Sequence, residues 1–163
     1  MSRPRRLDRA NYLENRWYFL TICTYRRRPA FTAGAMVAVV LAQFLRVARD
    51  EQFELLAYCF MPDHLHAVVV ARSDAADLHR FVRLAKQRSG YAFTRATGLR
   101  LWQESYFDRA IRRDQSLPDI VAYMLRNPVR ARLAAASEEY PYWGSQIYSR
   151  EEVLQFVSAE RRV

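Results

Sequence analysis

The period of the apolar positions changes along this chain and separates strands from helices. Trp17 to Tyr25 is rich in aromatic and β-branched residues and ends before the Arg-Pro turn near Pro29, which predicts a strand. From Ala33 to about Asp50, Met36, Val37, Val40, Leu41, Phe44 and Val47 recur at helical spacing and predict an amphipathic helix. Phe53 to Phe60 and His64 to Ala71 read as two strands joined by the Met61-Pro62-Asp63 turn. Leu78, Phe81, Val82, Ala85 and Phe93 mark a second helix, and Leu101 to Ile111 reads as a fourth strand. Ser116, followed three residues later by Asp119 and with Pro118 in the first turn, opens a third helix. The tail, with Tyr140, Pro141, Tyr142, Trp143 and Gly144, reads as a loop docked by its aromatics, then a short helix from about Glu151.

The order strand-helix-strand-strand-helix-strand is the ferredoxin-like split βαβ pattern. It predicts an α+β fold: a four-stranded antiparallel sheet with helices on one face, plus a C-terminal helix that bears Tyr123 and folds back toward the histidines. A length of 163 residues with 51% apolar content suits one sizeable core. The expected division is a polar, Arg-rich arm over 1–15, one domain over 16–150 and a helical tail over 151–163. No run approaches the roughly 20 apolar residues of a membrane span, and the basic N-terminus lacks a following apolar signal core, so a cytoplasmic protein is expected. Cys23 and Cys59 lie in predicted strands without partners at zinc-site spacing and read as reduced core residues.

Charge narrows the partners. The formal net charge is +9, and Lys86 is the single lysine among 26 basic side chains. Arginine presents a planar fork of donors suited to phosphate oxygens and guanine edges, so nucleic acid is the leading partner. Arginines gather at Arg3, Arg5, Arg6 and Arg9, at Arg26, Arg27 and Arg28, and at Arg109, Arg112 and Arg113. Arg80, Arg83, Lys86 and Gln87 share the polar face of the second helix. Any one cluster suits a solvated surface; several that flank the chemistry-bearing segments favour a nucleic-acid-binding track over scattered solubility charge.

Two segments carry that chemistry. His64 and His66 are two of only three histidines, and on a strand their side chains share a face. Two neutral imidazoles so placed make half of a divalent-metal site, or are simply exposed on a strand face by chance. The third, His79, lies on the second helix and reads as surface. Tyr123 and Asn127 stand one helical turn apart, as a phenol nucleophile and an amide oxygen ligand, or as a buried tyrosine beside a helix-ending Asn-Pro.

The His-Leu-His segment, the stretch from Leu101 to Arg112 with Trp102, Gln103, Tyr106, Phe107 and Asp108, and the stretch from Tyr123 to Ala131 come in the order seen in single-tyrosine HUH transposases. More narrowly, the chain resembles the REP-associated tyrosine transposases of bacteria over roughly residues 15 to 150. The resemblance implies that His64, His66 and Asn127 hold Mg²⁺ or Mn²⁺ and that Tyr123 is the nucleophile. It further implies cleavage of single-stranded DNA beside REP-like hairpins, a bacterial cytoplasmic setting, and action as a monomer or homodimer. One departure is Arg132, where members commonly carry glycine in an Ala-Gly-Leu sequence.

Under this reading the reaction is phosphodiester transesterification: a protonated phenol is a weak nucleophile, yet as a leaving group it makes the covalent link reversible. The alternative is a noncatalytic ferredoxin-like nucleic-acid-binding module, which lacks an RNP-like Gly-aromatic signature here and leaves the histidine pair without purpose. A water-activating metal hydrolase lacks the further carboxylate and histidine ligands such sites use.

Overall fold

In the computed structural model, which describes residues 16–112 and 114–159, five strands and four α-helices follow one another along the chain. They are β1 (Trp17–Cys23), α1 (Gly34–Asp50), β2 (Phe53–Met61), β3 (His64–Ala71), α2 (Leu78–Thr97), β4 (Phe107–Ile111), α3 (Leu117–Arg130), β5 (Trp143–Gly144) and α4 (Arg150–Ala159). The sheet order is β4-β1-β3-β2-β5, and every pairing is antiparallel. Without β5 this is the order that the split βαβ pattern requires.

Both sheet faces are covered. Leu20, Ile22, Leu65, Ala67 and Val69 form one core with Val40, Phe44 and Val47 of α1 and Phe81, Val82 and Ala85 of α2. Trp17, Cys59, Met61, Val68 and Val70 form a second core with Leu117, Val121, Met124 and Leu125 of α3 and Val153 of α4. Burial on two sides explains why β2 and β3 read as almost continuous apolar runs and not as alternating ones. The register of β2 shifts between Leu55 and Ala57, after which Cys59 and Met61 face α3 while Phe60 faces α1 and α2.

Two expectations need adjustment. The fourth strand is shorter than Leu101 to Ile111, because Leu101 and Trp102 are spent on the core and Trp102 Nε1 donates to Ser89 Oγ at 2.9 Å. Lys86 Nζ takes the carbonyls of Glu104 (2.6 Å) and Ser105 (3.3 Å). The tail supplies a fifth strand: Trp143 and Gly144 pair with Cys59 and Tyr58. Gly144 is needed there because a Cβ would come within 2.6 Å of Tyr58 Oη. The two helices of the split βαβ unit, α1 and α2, share one face as expected, and α3, with α4, covers the other. The expected arm over 1–15 falls outside the described residues.

Helix α3 starts and stops by recognisable devices. Ser116 Oγ accepts from the Asp119 backbone N–H at 3.2 Å, and Pro118 sits in the first turn. Pro128 does not end the helix, which continues to Arg130 with Pro128 buried. The stop comes where Arg132 N–H bonds the Val129 carbonyl (3.0 Å) and Leu133 N–H bonds that of Pro128 (2.8 Å). That is a Schellman motif, and Arg132 takes the left-handed conformation (φ 58°) that glycine usually supplies.

Candidate active site

Register puts the histidines on the α3 side of the sheet. His64 pairs with Cys23 and Met61, and His66 pairs with Thr21 and Cys59. Each histidine therefore shares a face with Val68 and Val70, which pack beneath α3. The two Nε2 atoms stand 3.0 Å apart, with the rings nearly perpendicular at 82°.

Each ring is held by its other nitrogen. His64 Nδ1 donates to Asp63 Oδ1 at 2.7 Å, and Asp63 Oδ2 in turn receives Arg27 Nε at 2.9 Å. His66 Nδ1 meets Thr21 Oγ1 at 2.9 Å, and the Phe19 ring lies 5.3 Å from the His66 ring. Because the carboxylate fixes the proton of His64 on Nδ1, His64 Nε2 carries a lone pair. The contact between the Nε2 atoms then requires the proton of His66 on Nε2, with the Thr21 hydroxyl donating to Nδ1. A hydroxyl both donates and accepts, so Thr21 can serve the opposite tautomer as well, in which both Nε2 lone pairs face one point.

That point suits a cation. Two nitrogens bound at right angles to an ion at about 2.1 Å stand about 3.0 Å apart, the separation found here. Burial, with the neighbouring His64 adding to it, pushes the His66 pKa down to about 4, and burial also lowers that of His64. Both imidazoles are then neutral at neutral pH, the form that ligates metals. Among the described residues no group of three His, Cys, Asp or Glu side chains is arranged for a metal.

Tyr123, Asn127 and Arg130 lie at i, i+4 and i+7 of α3, along one edge of its buried stripe. Asn127 is the more enclosed: its Nδ2 is buried and without a hydrogen-bond partner. An unanswered buried amide nitrogen is costly, so the Asn127 side chain stands out on this edge of α3 as a polar group whose hydrogen bonding is incomplete among the described residues. Tyr123 is 53% exposed, and the Arg130 guanidinium lies 5.2 Å from its ring centroid. Among the described residues no hydrogen bond joins Tyr123 or Asn127 to the histidines; what relates them is that α3 packs on Val68 and Val70, the residues that share the histidines' face of β3.

The basic residues divide. Arg83 lines an open cleft of about 490 Å³ beside α2 together with Lys86, Tyr91, Arg100 and Tyr106. Arg80 is engaged by Glu51 at 2.7 Å, and Lys86 by the backbone carbonyls described above. Arg109 is exposed on β4, opposite Phe19, and Arg112 is exposed just beyond the strand. Arg3, Arg5, Arg6 and Arg113 lie outside the described residues. His79 is on the surface and meets Tyr106 Oη at 2.6 Å. Cys59 is a buried thiol whose pKa burial pushes up to about 12, as suits an inert core residue.

Spacing alone did not single out Asp63, Thr21 or Phe107. Asp63 adjoins His64 in sequence, which was a usable signal. Thr21 and Phe107 join the site only through register, in a row His66-Thr21-Phe107 across three strands. Phe107 is 70% exposed on that face.

The family model described as "Transposase IS200 like" matches residues 12–127, a span that includes both histidines, Tyr123 and Asn127. The REP-associated tyrosine transposase of Escherichia coli (strain K12) is 26% identical over 136 residues, covering 82% of this chain and 79% of that protein. A solved structure of a REP-associated tyrosine transposase bound to a REP hairpin superposes with a TM-score of 0.67 at 26% identity, covering 88% of this chain and 82% of the other. The match over residues 12–127, most of the chain, shows the family: the chain belongs to the IS200-like transposase family, enzymes that act on DNA.

Proposed function

We propose that this protein is a metal-dependent endonuclease and strand transferase for single-stranded DNA, which cleaves beside REP-like hairpins through a 5′-phosphotyrosine link at Tyr123. The observation that carries the reading is the convergence of the His64 and His66 Nε2 atoms on the sheet face beneath α3, the helix that exposes Tyr123. The likeness to a relative bound to a REP hairpin supports the choice of DNA.

His64 and His66, with the Asn127 amide oxygen as third ligand, would hold a hard divalent cation, Mg²⁺ or Mn²⁺, which would supply Lewis-acid polarisation of a phosphate oxygen. Asp63 and Thr21 keep the imidazoles aimed. Tyr123 Oη attacks the scissile phosphorus, the bond to the 3′ oxygen breaks, and a free 3′ hydroxyl leaves while the 5′ phosphate stays on the tyrosine. Arg130 places a fixed positive charge beside the attacking ring. Return attack by a 3′ hydroxyl rejoins the strands without ATP. The exposed Phe107 ring, in register with His66, offers a surface on which an unpaired base can stack.

Tyr123→Phe tests the reading. It removes only the nucleophilic oxygen, so the covalent protein-DNA adduct should vanish while hairpin affinity stays near wild type. Adduct at wild-type yield would contradict it.

A further inference from the structure

Immediately after β1 the chain makes a 3₁₀ turn, Tyr25–Arg27, of which the chemistry above uses only Arg27, through Asp63. Its backbone is unusual. Arg26 (φ 55°, ψ 27°) and Arg27 (φ 54°) are successive left-handed residues that carry side chains, a conformation ordinarily left to glycine or asparagine. Surrounding bonds hold it: Thr24 Oγ1 donates to the Arg28 carbonyl at 2.7 Å, Tyr25 N–H bonds the Leu101 carbonyl at 2.7 Å, and Arg27 N–H bonds the Thr24 carbonyl at 3.0 Å. Backbone strain that the fold retains concentrates at functional positions.

The side chains form a hub of positive charge. The guanidinium carbons of Arg100, Arg26 and Arg28 lie 4.5, 5.2 and 6.0 Å from the Tyr25 ring centroid. The negative ring face offsets part of their mutual repulsion. Carboxylates do not do the rest: among the described residues Arg26 and Arg28 have no acidic partner, and Arg100 reaches Glu104 only at 3.8 Å. Arg27 is different, being tied to Asp63 at 2.9 Å and to Cys23 Sγ at 2.7 Å. It anchors the turn and leaves its neighbours' charges unanswered.

The turn also borders the histidines. Cys23, the last residue of β1, pairs with His64, and Thr24 N–H bonds the Asp63 carbonyl at 2.9 Å. We infer that Arg26, Arg28 and Arg100 form a phosphodiester-binding site that receives the backbone of the unpaired DNA strand beside the histidine pair. With guanidinium groups gathered around the Tyr25 ring, an anion fits this hub better than a stacked base. The inference rests on the DNA-processing reading and adds to it the path of the flanking strand.

The test measures binding in a Tyr123→Phe background, where cleavage does not interfere. REP-type hairpins with and without a single-stranded flank are titrated across a salt series. Arg26→Ala with Arg28→Ala should weaken binding of the flanked hairpin and flatten its log-log salt slope by about 0.7 per lost phosphate contact, leaving the flankless hairpin unchanged. Arg26→Gly removes a charge while relieving the left-handed backbone, so it should lower the slope with no loss of Tm, which separates lost contact from unfolding. Unchanged slopes, or equal losses on both hairpins, would overturn the inference. A normal adduct from the otherwise wild-type protein in that case leaves the Tyr123 reading standing. A slope change without any wild-type adduct supports the site and sinks the nucleophile.

Discussion

His64 and His66 bring their Nε2 atoms to 3.0 Å, while Asp63 holds the far nitrogen of one ring and Thr21 that of the other. The pair is therefore preorganised by neighbours that never touch the point of convergence. Outer partners of this kind typically change metal affinity or activity by about 10–100-fold when removed. Asp63→Ala and Thr21→Val should each move the Mn²⁺ midpoint of adduct formation upward by that order, and chelation by EDTA should stop the reaction. An unmoved midpoint in both variants would remove these residues from the site's support.

Acid sensitivity follows from the same burial. His66 titrates near 4 in the folded chain against an ordinary 6.5, so between these values the unfolded chain binds the extra proton. Stability from this group is fully present above about pH 6.5 and is lost as pH falls toward 4, by about 3 kcal/mol in all. His64, shifted the same way, adds to the trend. Urea unfolding across this range should steepen for wild type and flatten for His66→Gln. Parallel curves would place the acid sensitivity elsewhere.

Arg132 stands at the one position in α3's stop that asks for glycine. Arg132→Gly should stabilise the protein by about 1 kcal/mol, because the left-handed cost of a side chain outweighs the added freedom of the unfolded chain. Thermal unfolding should report a Tm rise of about 2–4 °C. A fall in Tm would mean that the arginine side chain contributes more than its backbone costs.

Phe107 should act through its ring. Phe107→Ala is expected to weaken binding of a hairpin with a single-stranded flank by about 1–3 kcal/mol, whereas Phe107→Trp should preserve it. Replacing the flank by abasic nucleotides should make the wild type and Phe107→Ala equal. A persistent difference on the abasic flank would assign Phe107 to packing and not to base stacking.

Much of the fold was legible because local chemistry and tertiary burial agree. The apolar run of β3 begins at His64 and ends at Ala71 as its β-branched residues predict, and Ser116 caps α3 as its spacing with Asp119 predicts. β5 is not legible, since two residues carry no period and the close approach of the Tyr58 side chain to Gly144 appears only once the strands are paired. The start of β4 is not legible because Leu101 and Trp102 are apolar for packing in the core and meet the end of β1 only in an isolated bridge, Trp102 to Thr24, before the strand proper begins at Phe107. Within the site, the histidines and the tyrosine helix announce themselves by residue type, whereas Thr21 and Phe107 become neighbours only once three strands are in register.

Polarity of the covalent link tests the central claim most directly. Oligonucleotides carrying a REP-type hairpin and a single-stranded flank, labelled separately at each end, are incubated with the protein and Mn²⁺ and resolved on a denaturing gel. Only the fragment 3′ of the cut, bearing the 3′ label, should migrate with the protein, and Tyr123→Phe should retain neither label. Retention of the 5′-labelled fragment, or equal cleavage of blunt duplex, would contradict a 5′-phosphotyrosine mechanism on single-stranded DNA.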